Sequence, residues 1–135
     1  MKQSLSSVLS LIITAFLLIE GIWGLFSPVV YWVLTTNRTH AVIHIVLGIA
    51  GLIARQRGAI KSYFGFLGSL LIVASGLWFL PSTRSLPQDL LNVNLAVAVL
   101  NLILGIVALV IAFTENARRR YGVPAASRTR APFQN

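Results

Sequence analysis

The sequence predicts an all-α fold in which four membrane-spanning helices pack as a bundle. Of its 135 residues, 56% are hydrophobic and 10% are charged, whereas a soluble domain carries about 25% charged residues. The mean hydropathy is +0.82. Four long apolar runs approach or exceed the roughly 20 residues that a helix needs to cross a membrane. These observations exclude a water-soluble globular protein and a disordered chain.

Charged residues and prolines set the limits of the four predicted spans. The spans cover residues 5–26, 39–54, 62–80 and 90–114. Pro28 ends the first and Pro81 ends the third, because proline has no amide hydrogen with which to continue a helix. Apolar runs of this length are expected to be helical, because in lipid every backbone amide must be hydrogen-bonded within its own segment or in a closed barrel. Residues 1–116 therefore form one membrane domain.

The second span is short, since the 16 residues from 39 to 54 rise only about 24 Å as a helix. Arg55 can extend its side chain to the interface and recover some of this length. The stretch 29–36 precedes it and contains Tyr31 and Trp32, whose rings favour the headgroup level. We interpret this stretch as interfacial; the alternative is a first helical turn of the second span.

The basic residues predict how the chain is oriented. One side of the spans carries nine of them, which are Lys2, Arg55, Arg57, Lys61, Arg118, Arg119, Arg120, Arg128 and Arg130. The other side carries Arg38 and Arg84. Because basic loops stay in the cytoplasm, both ends are expected there, in an inner (plasma) membrane.

The last residues, 117–135, form a basic segment that we expect to be a flexible cytoplasmic tail. Its charges can attract anionic lipids of the bilayer surface. Nucleic acid is not an expected partner, because the basic cluster has no aromatic interleaving beyond Tyr121 and no fold around it.

The chain looks like two copies of a helical hairpin. Residues 37–52 align with residues 94–109 at a shift of 57, with Asn, Gly and the closing Leu in common. The first and third spans end alike, in Gly21-Ile-Trp23 and Gly76-Leu-Trp78. Both copies enter the membrane from the same side, so the repeats are predicted to be parallel.

Small residues indicate where the helices pack, because membrane helices associate through close backbone approach rather than through burial from water. The glycines expected at helix contacts are Gly48, Gly51, Gly65, Gly76 and Gly105. Their stripes are expected to face one another inside the bundle; the alternative is that one stripe faces another subunit.

An intramembrane polar cluster is predicted from depth along the helices. Glu20 and His44 each lie about 9 Å from the outer ends of their spans, so the two side chains could meet. His40 lies one turn nearer water, and Asn101 occupies the duplicated position of His44. Ionisable residues inside a membrane are rare and costly, which makes each a functional hypothesis.

Three interpretations of this cluster remain open. The first is a hydrogen-bonded network that fixes helix register. The second is cofactor binding by His44 and His40, with haem or chlorophyll as the ligand and Gly48 leaving room for a flat ring. The third is a proton path through Glu20 and His44. No metal site is predicted, because two histidines alone are weak ligands for zinc and Glu20 would have to be the third.

No constellation of catalytic residues is recognisable. The sequence has no P-loop, no Gly-x-Ser-x-Gly and no His-Glu-x-x-His. Its three carboxylates, Glu20, Asp89 and Glu115, lie on different segments. We therefore expect no catalytic residues and no enzymatic activity.

The pattern His40-x-x-x-His44-x-x-x-Gly48-x-x-Gly51-Leu52, preceded by Gly24-Leu25-Phe26, resembles a bacterial family of four-helix membrane proteins known as a domain of unknown function. The resemblance covers about residues 8–113 and implies the fold and the membrane location, with no activity. Members usually have His-Asn-x-x-His in the second span, where this chain has Ala41, and often a further histidine in the fourth, where it has Asn101.

The leading functional hypothesis is a small structural or accessory subunit in the lipid bilayer, which packs alone, with itself or against a larger membrane complex. Four aromatic residues would anchor its outer interface, namely Trp23, Tyr31, Trp32 and Trp78. The alternatives are a cofactor-binding membrane subunit that uses His44, and a small proton-coupled transporter that uses Glu20 and His44.

Overall fold

The computed structural model of the protein describes residues 5–121, with side chains through residue 115. Over this range the chain forms α1 (Leu5–Gly24), β1 (Val29–Val30), β2 (Leu34–Thr35), α2 (Arg38–Gln56), α3 (Ile60–Phe79), α4 (Ser85–Leu91) and α5 (Leu95–Tyr121). The helices α1, α2, α3 and α5 are each long and apolar enough to cross a membrane. The prediction of four spans is therefore confirmed.

Two asparagines set where the second helix of each repeat begins. The side-chain oxygen of Asn37 accepts a hydrogen bond from the His40 backbone amide at 2.9 Å, at the start of α2. The side-chain oxygen of Asn94 accepts one from the Val97 amide at 2.9 Å, at the start of α5. Such caps satisfy amides that the first turn of a helix leaves unpaired.

The predicted start of the fourth span at residue 90 is wrong. Residues 85–91 belong to the short helix α4, which ends because Asn92 adopts a left-handed conformation with φ 53°. Asparagine tolerates this conformation better than most residues. The described part of the chain therefore has a fifth helix that the four-helix prediction missed. At the other end, α5 continues to Tyr121, five residues into the predicted tail, and the rest of that tail lies outside the described residues.

The segment between α1 and α2 is a β-hairpin, so the alternative of a helical turn is wrong. Val29 pairs with Thr35 and Val30 pairs with Leu34 in antiparallel register. The turn places Tyr31 and Trp32 in the left-handed region, at φ 49° and 61°. Aromatic residues rarely adopt this conformation.

Contacts of the turn aromatics compensate for the unfavourable backbone. The ring of Tyr31 stacks on Phe16 at 5.9 Å and meets Trp23 edge-on at 5.2 Å. Trp23 also meets Trp32 edge-on at 6.2 Å. These contacts tie the hairpin to the outer half of α1.

The helices pack most extensively in two pairs, α1 with α2 and α3 with α5. Each pair approaches closely at a glycine of its second helix. A Cβ atom on Gly48 would lie 2.5 Å from Leu18 Cγ, and one on Gly105 would lie 2.7 Å from Ile72 Cγ1. Gly51 is similarly close to Thr14.

The packing stripe predicted on the third span is misplaced. A Cβ atom on Gly76 would meet no atom within 4 Å, and one on Gly65 would meet only Ala112 Cβ, at an ordinary 3.8 Å. The close approach is made by Gly68 instead, where a Cβ would lie 2.7 Å from the carbonyl oxygen of Gly105.

The alignment of the first and third spans is also wrong, by one residue. Gly21 faces the carbonyl oxygen of Ala41, and the Ser75 hydroxyl donates to the carbonyl oxygen of Ala98 at 2.8 Å. Since Ala41 and Ala98 are equivalent positions, Gly21 corresponds to Ser75 and not to Gly76. A shift of one residue rotates a helical position by about 100°, which turns Gly76 away from α5.

Two reciprocal hydrogen bonds show that the repeats are related by an approximate two-fold axis. The Asn37 amide donates to the Leu90 carbonyl oxygen at 2.9 Å, and the Asn94 amide donates to the Val33 carbonyl oxygen at 2.8 Å. The same shift of 57 residues carries Asn37 onto Asn94 and Val33 onto Leu90. In each repeat, the asparagine that caps the second helix is therefore hydrogen-bonded to the other repeat.

The buried apolar residues form two clusters. The main core, at the end of the bundle opposite the hairpin, consists of Ile13, Leu17, Leu47, Phe64, Leu67, Leu71, Ala108, Ile111 and Ala112. The loop-side core, beneath the hairpin and α4, consists of Val30, Leu34, Trp78, Val93, Val97 and Ala98.

Trp78 is not an interfacial anchor, because α4 and the loop before it cover its ring. It is 9% exposed, and its indole nitrogen donates to the Val93 carbonyl oxygen at 3.1 Å. The Arg84 guanidinium lies 4.6 Å from the centre of the ring. Trp32, in contrast, is 89% exposed and remains in a position to contact the membrane interface.

Candidate functional site

The site contains the four polar residues that the sequence singled out. Glu20 is on α1, His40 and His44 are on α2, and Asn101 is on α5; they are 2%, 2%, 4% and 6% exposed. The close contact of α1 with α2 at Gly21, next to Glu20, brings that carboxylate beside the histidine-bearing helix.

Glu20, His44, His40 and the Leu91 carbonyl form a continuous row of polar contacts. Glu20 Oε2 lies 3.0 Å from His44 Nδ1. His44 Nε2 lies 3.1 Å from His40 Nε2. His40 Nδ1 lies 3.1 Å from the carbonyl oxygen of Leu91, the last residue of α4. We call this row the Glu20–His44–His40 chain.

The spacing of the histidines produces the contact between their rings. Residues four apart on a helix lie on one face, and here the ring centroids are 4.3 Å apart with an interplanar angle of 75°. Asn37 caps this turn of α2 through the His40 amide, so the first histidine is held from both its backbone and its ring.

Counting hydrogens gives the charge of the chain. The Leu91 carbonyl can only accept, so His40 Nδ1 carries a hydrogen. If each of the other two contacts is a hydrogen bond, each also contains one hydrogen. The two rings and the carboxyl group then share three hydrogens and have zero net charge, wherever the two central hydrogens lie. A neutral unit avoids most of the cost of placing an isolated charge in lipid.

Asn101 completes the site from α5. It lines a cavity of about 120 Å³ together with His40, His44 and apolar side chains of α2 and α3. We call this the histidine cavity. The Asn101 side chain makes no hydrogen bond to another described residue and does not extend the Glu20–His44–His40 chain.

The two-fold repeat creates a second, equivalent space that has a different character. The wall residues Leu70, Leu91 and Ile43 of the histidine cavity correspond to Phe16, Leu34 and Leu100 on the other side of the bundle. This second space is larger, about 530 Å³, and is lined by Phe16, Tyr31, Val33, Leu34, Ala96, Val99, Leu100 and Ile103. We call it the apolar groove.

The structure leaves no room for a flat ring at Gly48, so that expectation is wrong. The Leu18 side chain occupies the space over this glycine. The histidine cavity is also smaller than the 300–1,000 Å³ or so that small-molecule and cofactor pockets enclose.

The site can instead accommodate a single ion. Glu20, His40 and His44 each offer a ligand atom, and these atoms lie within 4.8 Å of one another.

The main core, which includes Leu17, Leu47 and Leu71, lies between the site and the opposite end of the bundle.

Sequence reasoning missed the Leu91 carbonyl, because it belongs to the helix that was not predicted. Pro87 in the first turn of α4 and Asn92 at its end are a local signal for a short helix. The reciprocal contacts of Asn37 and Asn94 were also missed, although their alignment at a shift of 57 was evident.

Comparison with known proteins places the chain in a family. Neither the curated proteins nor the solved structures include a match to it. One family model matches residues 29–114, which is more than half of the chain and includes the hairpin, both histidines and Asn101. The chain therefore belongs to the family described as "Domain of unknown function (DUF4383)".

Proposed function

We propose that the protein is an accessory subunit of a bacterial inner membrane, with both ends in the cytoplasm, and that it binds an apolar transmembrane helix of a larger complex. The observation that carries this proposal is the apolar groove, which opens between the two repeats where the equivalent space contains histidines. The excess of basic residues on one side supports the orientation.

The lining of the groove suits an apolar helix, because every residue that lines it is apolar or aromatic. Its wall includes the stacked rings of Phe16 and Tyr31, 5.9 Å apart, which are held in place by the hairpin. Membrane helices associate by van der Waals packing, so an apolar surface of this kind can contact the side chains of a partner helix.

Little of the described chain is available to partners outside the membrane. The segments between the spanning helices cover residues 25–37, 57–59 and 80–94, and the first and last of these pack on each other through the reciprocal asparagine contacts. The surfaces inside the membrane are therefore the main ones on which a partner can act.

Two observations favour this role over transport or cofactor binding. The polar side chains of the Glu20–His44–His40 chain are paired with one another, and apolar residues of the main core fill the bundle beyond them. The space over Gly48 is filled by Leu18. A helix-binding role needs neither an open path nor a large cavity.

Photo-crosslinking in native membranes tests the proposal. A photoreactive amino acid replaces Ile103 in the apolar groove or Val46, its equivalent at a shift of 57 on the other repeat; the two are 53% and 59% exposed. We expect a discrete adduct with another membrane protein from the Ile103 probe and only background from the Val46 probe.

Other outcomes would contradict the proposal. Equal labelling from both positions would indicate random collisions, and adducts with lipid alone would mean that the groove binds acyl chains. An adduct of twice the chain mass would replace the accessory role with self-association.

A further inference from the structure

The Glu20–His44–His40 chain directs one nitrogen of each histidine towards the other. The outer nitrogens, both Nδ1, face oxygen acceptors, which are the Glu20 carboxylate at 3.0 Å and the Leu91 carbonyl at 3.1 Å. The inner nitrogens, both Nε2, are 3.1 Å apart.

The outer oxygen partners favour the tautomer of each ring that leaves Nε2 without a hydrogen. Both Nδ1 atoms then carry the hydrogens that the oxygens accept, so each neutral ring presents a lone pair on Nε2. Two such acceptor nitrogens 3.1 Å apart repel unless a proton or a metal ion is shared between them.

We propose that His40 Nε2 and His44 Nε2 bind a divalent transition-metal ion of the zinc type. Imidazole suits zinc, copper, iron and nickel, whereas thiolate and thioether ligands select monovalent copper. The chain has no cysteine, and its single methionine is Met1. The ion would be held in the outer half of the bundle, between α2 and α5.

The distance between the two nitrogens fits such an ion. Zinc–nitrogen bonds are about 2.0–2.1 Å long, and tetrahedral geometry then separates two ligand nitrogens by about 3.3 Å. The observed separation of 3.1 Å is close to this value, and a rotation of the two rings, whose centroids are 4.3 Å apart, would direct both Nε2 atoms at one ion.

The outer partners of both histidines are those of metal ligands. A ligating histidine almost always donates its other ring hydrogen to a carboxylate or a backbone carbonyl, which fixes the tautomer and the ring orientation. Glu20 performs this role for His44, and Leu91 performs it for His40. The Glu20 carboxylate also offsets one of the two charges of the ion.

The histidine cavity provides the remaining ligands. Its volume of about 120 Å³ admits a few water molecules, each of which occupies about 30 Å³ in the liquid. The Asn101 side chain lines this cavity, is 6% exposed and has no hydrogen-bond partner among the described residues. Its amide oxygen and one water would complete four-coordination.

Metal titration of the full chain tests the inference. The protein is purified in detergent with an affinity tag that lacks histidine, stripped with a chelator, and titrated with Zn²⁺ or Co²⁺. We expect one ion per chain by elemental analysis, and the intense visible bands of four-coordinate Co²⁺. The chain has two histidines, so competing histidine sites are absent from its sequence.

Variants separate the metal ligands from their positioning residue. His44→Gln is expected to weaken Co²⁺ binding at least 100-fold, and Glu20→Gln about 10–100-fold because it alters an outer partner. Ser75→Ala is the matched control, since this buried hydroxyl bonds to Ala98 and not to the histidines. It should leave the affinity unchanged.

Three results would overturn the inference. The first is a metal content below one ion per ten folded chains, and the second is equal Co²⁺ affinity of His44→Gln and the wild type. The third is a nitrogen NMR spectrum that shows a proton shared between the two rings and stays the same when Zn²⁺ is added. If the variants fail to fold, X-ray absorption of the Co²⁺-loaded wild type decides, because a spectrum without two imidazole ligands contradicts the site. The proposed helix-binding role is tested separately by crosslinking at Ile103.

Discussion

Replacing Gly68 by alanine should destabilise the bundle, whereas the same replacement at Gly76, which is also on α3, should not. At Gly68 the new methyl group would lie 2.7 Å from the carbonyl oxygen of Gly105 and 2.8 Å from Leu109 Cγ. At Gly76 it would meet no atom within 4 Å. The two substitutions are chemically identical, so each serves as the control for the other.

The size of the difference follows from two terms. Alanine favours the helix over glycine by about 1 kcal/mol at either position, and this term cancels in the comparison. Overpacking of a close contact costs about 1–3 kcal/mol, and the Gly105 carbonyl cannot rotate away because it belongs to the backbone of α5. Gly76→Ala should therefore be more stable than Gly68→Ala by about 1–3 kcal/mol.

The assay is reversible unfolding in mixed micelles of increasing sodium dodecyl sulfate, followed by circular dichroism. Equal unfolding free energies for the two variants, or a lower one for Gly76→Ala, would refute the assignment of Gly68 to the α3–α5 contact.

Three further predictions use the same unfolding assay. Asn37→Ala and Asn94→Ala should each lose about 1–2 kcal/mol, because each removes a helix cap and a hydrogen bond to the other repeat; a loss at only one position would contradict the two-fold relation. Glu20→Gln should lose about 1–3 kcal/mol, because the carboxylate partner of His44 Nδ1 is replaced in a buried setting; unchanged stability would mean that the contact is not formed. Arg84→Ala should lose about 1–2 kcal/mol, because it removes the cation–π contact with the Trp78 ring and the hydrogen bond that Arg84 Nε donates to the Trp78 carbonyl oxygen; unchanged stability would contradict both contacts.

The spanning helices could be predicted because lipid restricts the possible structures so strongly. A long apolar run in a membrane has to be helical, and hydropathy therefore located α2 to within two residues of its observed limits, Arg38 and Gln56. The short elements, the hairpin and α4, could not be predicted in this way. The hairpin and α4 depend on left-handed residues and on contacts between the repeats, which a single segment does not reveal.

The depth of the polar residues in the membrane could be predicted from the sequence, but the direction in which their side chains point could not. Helical rise fixes how deep a residue lies, so Glu20 and His44 were expected at the same level, and the structure places them 3.0 Å apart. The contact between the two histidines and the partner of His40 depend on side-chain orientation and on α4. The packing face of α3 was also misjudged, because the spacing of small residues selected Gly65 and Gly76, whereas Gly68 makes the close contact.

The parallel repeat places the hairpin and the α3–α4 turn on one side of the membrane and the α2–α3 connection on the other. Because the chain has no cysteine, single cysteines can report this directly. We predict that Phe26→Cys and Ser82→Cys react with a membrane-impermeant maleimide in intact cells, and that Gln56→Cys reacts only after permeabilisation. Reaction of Phe26→Cys and Ser82→Cys from opposite sides would contradict the two-repeat arrangement.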